Sequence, residues 1–129
     1  MNKTLIKSIR RNEIEYLNNM YKKKELVLDV IYMEESSRIK NDTFDWFVEK
    51  KCPISNEVIK NLVIKNDLDG LKKLYNNNYE IPICTYLYAF LFKRINILDW
   101  LKIINIEIDP RIYILPTENT EILSWRKKN

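Results

Sequence analysis

Apolar residues recur at every twenty-seventh position along the chain. Three series share this period: Leu17, Phe44, Leu71 and Leu98; Met20, Phe47, Leu74 and Leu101; Val27, Ile54, Ile81 and Ile108. A final, slightly shorter step extends the first two series to Leu123 and Arg126, and Trp46, Trp100 and Trp125 all occupy one position between them. A fixed period of this length is typical of a repeat protein.

Each repeat unit contains two segments with helical periodicity. Between Glu57 and Lys65 the apolar residues fall on one face of a helix, and a second apolar stripe runs from Leu68 to Leu74. The next unit repeats this arrangement over 85–93 and 97–101. The sequence therefore predicts a helix pair in every unit.

Polar residues near the predicted helix ends support these boundaries. Asp42 and Asn96 are expected to cap second helices, and Asp109 is expected to cap a helix whose first residue is Pro110. The clusters Lys22–Lys24 and Lys50–Lys51 are placed in the last turns of second helices, where cations favour the helix dipole.

A helix pair of this size cannot bury its apolar face alone, so the pairs are expected to stack on one another. The predicted fold is all-α, a short α-solenoid of about five helix pairs in a single domain of residues 1–129. The units span approximately 3–29, 30–56, 57–83, 84–109 and 110–129. Cations at both ends, among them Arg10, Arg11 and Lys127, provide polar outer faces.

Composition argues against most catalytic chemistry. The chain has no His and one glycine, Gly70, which excludes histidine-based catalysis, histidine metal sites and glycine-rich phosphate loops. Three carboxylate pairs, Asp42/Asp45, Asp67/Asp69 and Glu34/Glu35, are interpreted as helix caps and surface charge. We expect no catalytic, cofactor-binding or metal-binding residues. Heavy use of Ile, Asn and Lys is attributed to an AT-rich genome.

Cysteine content and hydropathy indicate the compartment. Cys52 and Cys84 are too few for a secreted disulfide scaffold, and we interpret them as reduced thiols. The first residues lack the apolar core of a signal peptide. The longest apolar run, Tyr86 to Phe92, is far short of a membrane span. The expected location is intracellular and cytoplasmic, without membrane contact.

The repeat units resemble divergent ankyrin repeats of the short type abundant in giant DNA viruses. The resemblance rests on 50–54 (Lys-Lys-Cys-Pro-Ile), on 66–74 and on 97–101 (Ile-Leu-Asp-Trp-Leu), and it covers essentially the whole chain. The units are shorter than the usual ankyrin length, which implies little or no β-hairpin. The resemblance implies a non-catalytic scaffold or adaptor that binds another protein, in the host cytoplasm or a virion. A self-associating structural or virion-associated protein is the alternative.

The fourth unit carries a candidate contact surface. It is apolar at four positions that are polar in the first three units: Tyr88, Phe92, Ile103 and Ile104. If these side chains are exposed, they form an apolar patch that a partner protein or a second copy would bind. The alternative is that the shortened fifth unit packs over them.

Three further features have competing interpretations. A basic face of Lys22, Lys23, Lys24, Lys50 and Lys51 fits a weak nucleic-acid-binding protein, but a solvated surface is favoured because no stacking aromatics accompany it. The tryptophans fit binding hot spots, but partial burial beside the core is favoured. Cys52 follows two lysines that would lower its pKa, whereas a structural role in the repeat is favoured.

Overall fold

The computed structural model describes residues 3–39 and 41–129, and within these residues it is built from helices and turns. Nine α-helices and one short 3-10 helix lie in this part of the chain: α1 Lys3–Arg10, α2 Ile14–Lys22, α3 Val30–Arg38, α4 Asp42–Glu49, α5 Asn56–Ile64, α6 Leu68–Asn76, α7 Thr85–Leu91, α8 Ile95–Ile103, the 3-10 helix Pro110–Tyr113, and α9 Thr120–Lys128. The predicted all-helical character is confirmed.

The helices contact one another as consecutive pairs. Each of the pairs α1/α2, α3/α4, α5/α6 and α7/α8 is in direct contact. The first helices contact one another in the order α1, α3, α5, α7, and α7 then contacts the 3-10 helix. Among the second helices α2 contacts α4, α4 contacts α6, and α8 contacts α9. Contacts therefore run mainly between consecutive units.

The backbone conformation of the turns between helices also follows the repeat period. Among the described residues, seven other than glycine have a positive φ, between 54° and 68°: Asn12, Lys24, Lys51, Asn66, Asn78, Lys93 and Asn105. Four of them follow second helices at intervals of one period, and the other three follow first helices at multiples of that interval. In each case the next amide donates to a carbonyl one turn back, as Cys52 N does to Phe47 O at 3.1 Å. This arrangement satisfies carbonyls that the helix end leaves unpaired.

The turn between α3 and α4 departs from this pattern. The period places Ile39 at the left-handed position, but its backbone is extended, with φ −107° and ψ 147°. A β-branched residue is strongly disfavoured at positive φ, which accounts for the exception. Asn41 then caps α4: its side chain accepts from Thr43 N at 3.0 Å and donates to Ile9 O at 2.9 Å.

Two of the predicted caps are wrong. Asp42 is the first residue of α4 and not its cap, because Asn41 takes that role. Asn96 lies inside α8, which begins at Ile95 after Arg94. The Arg94 side chain instead donates from Nε to Val63 O at 3.1 Å and from Nη2 to Ile64 O, at the end of α5. Arg94 therefore supports the preceding unit.

The remaining helix-end predictions hold in part. Asp109 is a capping residue as predicted, since it accepts from Arg111 N at 3.0 Å, but the helix that it caps is a single 3-10 turn. Lys22 ends α2 and the next two lysines follow it, whereas Lys50 and Lys51 both lie beyond the last residue of α4. Most of these lysines therefore lie just beyond the last turns in which they were predicted.

The repeated apolar positions form most of the core, with two marked exceptions. Seven members of the first two series are buried, Met20 and Leu123 are half-buried, and the three tryptophans, for which partial burial was predicted, are buried. Val27 is the first exception: it is 78% exposed, and its neighbour Leu26 is buried in its place. Side chains alternate between opposite sides of an extended segment, so a shift of one residue exchanges inside for outside.

Arg126 is the second exception. It occupies a position that is apolar in the other units, and Nη1 donates to Ile112 O at 2.9 Å and to Leu115 O at 2.6 Å. Its guanidinium carbon also lies 5.2 Å from the centre of the Phe90 ring. A cation at this position therefore ties α9 to the 3-10 helix, which stands where the other units have a full first helix.

Candidate functional site

The four apolar residues predicted on the fourth unit do not form one exposed patch. Tyr88, Phe92 and Ile104 are half-buried and pack against the core, whereas Ile103 is 75% exposed. Phe92 precedes α8 and Ile104 follows it, so this helix, about 13 Å long, separates them. Ile103 alone of the four is largely open to solvent.

The last unit lies close to Tyr88. The pKa of Tyr88 is raised, mainly by burial and then by the neighbouring Cys84 and Glu57, while Arg111 of the 3-10 segment acts in the opposite direction. Arg111 is itself paired with buried Asp109, from Nη2 to Oδ2 at 2.6 Å. Helix α7, which carries Tyr88, contacts the 3-10 helix of the last unit, whereas Ile103 is not covered by that unit.

Sequence reasoning missed two exposed apolar residues of the last two units. Leu91, the final residue of α7, is 54% exposed, and Ile114, directly after the 3-10 helix, is 84% exposed. Leu91 and Pro116 line one shallow cavity of about 290 Å³. The available signal was Pro116, which limits a helix that begins at Pro110 to about six residues. We call Leu91, Ile103 and Ile114 the exposed apolar residues of the last two units.

The predicted basic face is divided by the structure. Lys22, Lys23 and Lys24 are exposed at the end of α2. Lys50 instead lies over two aromatic rings, with Nζ 5.0 Å from the centre of Tyr21 and 5.7 Å from that of Trp46. Lys51 lies over the ring of Tyr79 at 5.8 Å and donates to Asn77 O. The two lysines after α4 therefore make contacts within the protein.

Neither cysteine has the features of a reactive thiol. Cys52 is fully buried, its Sγ lies 3.3 Å from Asp29 O, and burial together with the Asp29 charge raises its pKa to about 12. The alternative in which adjacent lysines lower this pKa is therefore wrong. Cys84 is half-buried and its pKa is raised, mainly by burial. Both cysteines are free thiols.

Four of the six carboxylates that sequence reasoning assigned to caps and surface charge have side-chain contacts, those of Asp42, Asp67, Glu34 and Glu35. Asp67 accepts from Gly70 N at 2.9 Å at the start of α6, and Asp42 accepts from Asn12 Nδ2 at 3.2 Å. Glu35 is buried and pairs with Arg10 at 2.6 Å and with Arg38 at 3.7 Å. Over residues 3–39 and 41–129, no three Cys, Asp or Glu side chains are grouped as metal ligands.

None of the helices in the described part of the chain is both long and apolar enough to cross a bilayer. Comparison with known proteins gives no further guide: no protein-family model, no curated protein and no solved structure matches this chain. The resemblance to ankyrin repeats and the viral origin that it implies therefore stay predictions.

Proposed function

We propose that this protein is a non-catalytic interaction module in which short ankyrin-like helix pairs stack into an α-solenoid that binds another protein. The resemblance extends the proposal to a viral adaptor acting in the host cytoplasm. Contacts between consecutive helix pairs and left-handed turns on one period support the stacked-repeat part. Stacked repeats present extended surfaces, which such proteins commonly use for binding.

The observation that carries the binding proposal is the exposure of large aliphatic side chains at one end of the chain. Over the described residues, four large apolar side chains are more than half exposed, and three of them, Leu91, Ile103 and Ile114, belong to the last two units. Exposing such side chains to water is unfavourable by about 25 cal/mol per Å². Large apolar side chains gathered on a folded surface often mark a contact site, whereas single exposed ones are common. We place the contact with the partner protein on these residues as an extended surface, because Leu91 and Ile103 lie near opposite ends of α8, which is about 13 Å long.

Capture of a partner from the native cells tests this proposal. The tagged wild type is compared with the double variant Leu91→Lys/Ile103→Lys, and eluted proteins are identified after nuclease treatment. Val27→Lys is the matched control, because Val27 is also largely exposed but lies in the first unit. We expect one discrete protein with the wild type and with Val27→Lys, and at least about a ten-fold loss with the double variant.

Two results would overturn the proposal. A partner that is retained in full by the double variant moves the contact away from the last two units. A partner that disappears on nuclease treatment indicates that nucleic acid is bound, through exposed cations such as Lys22 to Lys24.

A further inference from the structure

The net positive charge of the chain is concentrated in its first unit. Residues 1–29 contain seven Lys+Arg and four Asp+Glu, a net charge of +3. Residues 30–129 contain fifteen Lys+Arg and fourteen Asp+Glu, a net charge of +1. The first unit therefore differs electrostatically from the rest of the protein, whose charges nearly cancel.

Helix α1 arranges part of this charge as a stripe. Lys3, Lys7 and Arg10 are spaced at i, i+4 and i+7, which places them on one side of the helix over about 10 Å. All three are exposed, and the sequence of α1 contains no carboxylate. Together with Ile6, which is 8% exposed, they line a shallow cavity of about 220 Å³. The stripe thus combines three cations with a small apolar surface contributed by Ile6.

The contacts of α3 with its neighbours show which side chains form pairs between first helices. Arg10 Nε donates to Glu35 Oε1 of α3 at 2.6 Å, and at the next step Ser55 Oγ, just before α5, donates to Glu34 Oε2 of α3 at 2.9 Å. A carboxylate of α3 therefore meets a cation of the neighbouring unit, whereas Ser55 belongs to the same unit as Glu34. Lys3 and Lys7 present further donors on the exposed side of α1.

We propose that the exposed side of α1 binds an acidic amphipathic helix of a partner protein, an inference that rests on the proposed function as an interaction module. Carboxylates one and two turns apart on that helix pair with Lys3, with Lys7 and with the Nη atoms of Arg10, whose Nε donates to Glu35, and an apolar side chain between them contacts the exposed edge of Ile6.

A membrane or nucleic acid fits this surface less well. Leu5 and Ile9 are buried in the core and Ile6 is only 8% exposed, so α1 offers a partner a small apolar contact but no side chain that projects into lipid. Three cations over about 10 Å fall short of the roughly six to ten phosphate contacts typical of a duplex-binding protein. A short acidic helix matches both the length and the charge of the stripe.

Fluorescence anisotropy with a synthetic peptide tests the inference. The probe is a labelled helical peptide of about 15 residues, with Glu at i, i+4 and i+7 around one Leu. The double variant Lys3→Glu/Lys7→Glu is compared with Lys127→Glu/Lys128→Glu, which changes the same charge on exposed lysines at the end of α9. We expect the first variant to weaken binding at least about ten-fold and the second to change it less than about two-fold.

Several outcomes would overturn the inference. The first is that the wild type fails to bind the Glu peptide, or that it binds a peptide with Gln in place of Glu equally well. Both charge-reversed variants lose affinity to the same extent, which indicates attraction by net charge alone. Duplex DNA or vesicles containing phosphatidylserine bind more tightly than the peptide and with the same dependence on Lys3 and Lys7. If a captured partner depends on Leu91 and Ile103 but the peptide does not bind, the proposed function stands and this inference fails.

Discussion

The indole Nε1 of Trp125 donates to Asp99 Oδ1 at 2.8 Å, and this bond joins α9 to α8. Trp46 of α4 makes the equivalent bond to Asn18 Oδ1 of α2 at 2.6 Å. Asn18 and Asp99 occupy the same repeat position, as they are separated by three repeat periods. A tryptophan in one unit and an acceptor in the preceding unit therefore form a recurrent link between second helices.

Removing the acceptor of this link is expected to destabilise the last unit. Asp99→Ala leaves the buried indole N–H without its partner, and we expect a loss of about 1–2 kcal/mol in the free energy of unfolding. Asp99→Asn keeps an acceptor oxygen and serves as the control, with a change below about 0.5 kcal/mol. Urea unfolding monitored by far-UV circular dichroism measures both. Equal stability of Asp99→Ala and the wild type would contradict the importance of the link.

The left-handed turns give a second test, because glycine adopts positive φ without steric cost. Lys93→Gly is expected to raise the free energy of unfolding by about 0.5–1 kcal/mol. Lys72→Gly is the control: Lys72 is exposed in the interior of α6, where glycine costs about 1 kcal/mol. Thermal and urea unfolding of both variants provide the comparison. Destabilisation by Lys93→Gly would show that the backbone at this position is not left-handed.

Much of the fold was predictable because the repeat places the same apolar residues at the same positions. Helices α5 and α6 were located closely from their apolar stripes alone. The left-handed turns were not predicted, because glycine is the usual signal for this conformation and the chain uses Asn and Lys instead. The Asn41 cap was missed because the adjacent Asp42 is an equally good capping residue by type.

The candidate surface was harder to predict because it depends on the shortened fifth unit. A change from polar to apolar along a repeat position selected Ile103, which is largely exposed, together with three residues that are half-buried. It did not select Leu91 and Ile114, whose exposure no periodicity predicts. The contacts of Arg126 with Ile112 and Leu115 were not predicted either.

The two thiols are expected to differ in reactivity. Burial raises the pKa of Cys52 to about 12, so almost none of it is thiolate at pH 8, and the folded protein shields its sulfur. Cys84 is half-buried and should react first. Mass spectrometry after iodoacetamide treatment is expected to find one modified cysteine, Cys84, in the folded protein and two after unfolding. Rapid modification of Cys52 in the folded protein would contradict its placement.

The lowered pKa of Asp109 predicts that the free energy of unfolding depends on pH. Its hydrogen bonds with Arg111 lower the pKa of this carboxyl below its ordinary value of 3.8. A lowered folded-state pKa adds stability above the unfolded-state pKa, and this contribution is lost as the pH falls through the folded-state value. We therefore expect Asp109→Asn to be less stable than the wild type at pH 6, with the difference shrinking below about pH 4. Glu107→Gln, an exposed carboxylate nearby, is the control. A difference that stays constant with pH would refute this role of the Asp109 charge.

The central claim is that the exposed apolar residues of the last two units bind a different protein. The molar mass in solution tests it most directly, because a second copy of the chain is the main competing occupant. Light scattering over a wide concentration range is expected to give the 15.7 kDa of a monomer for the wild type and for Leu91→Lys/Ile103→Lys alike. A wild-type mass that rises to multiples of this value, together with a monomeric double variant, would contradict the claim and identify the surface as a self-association interface.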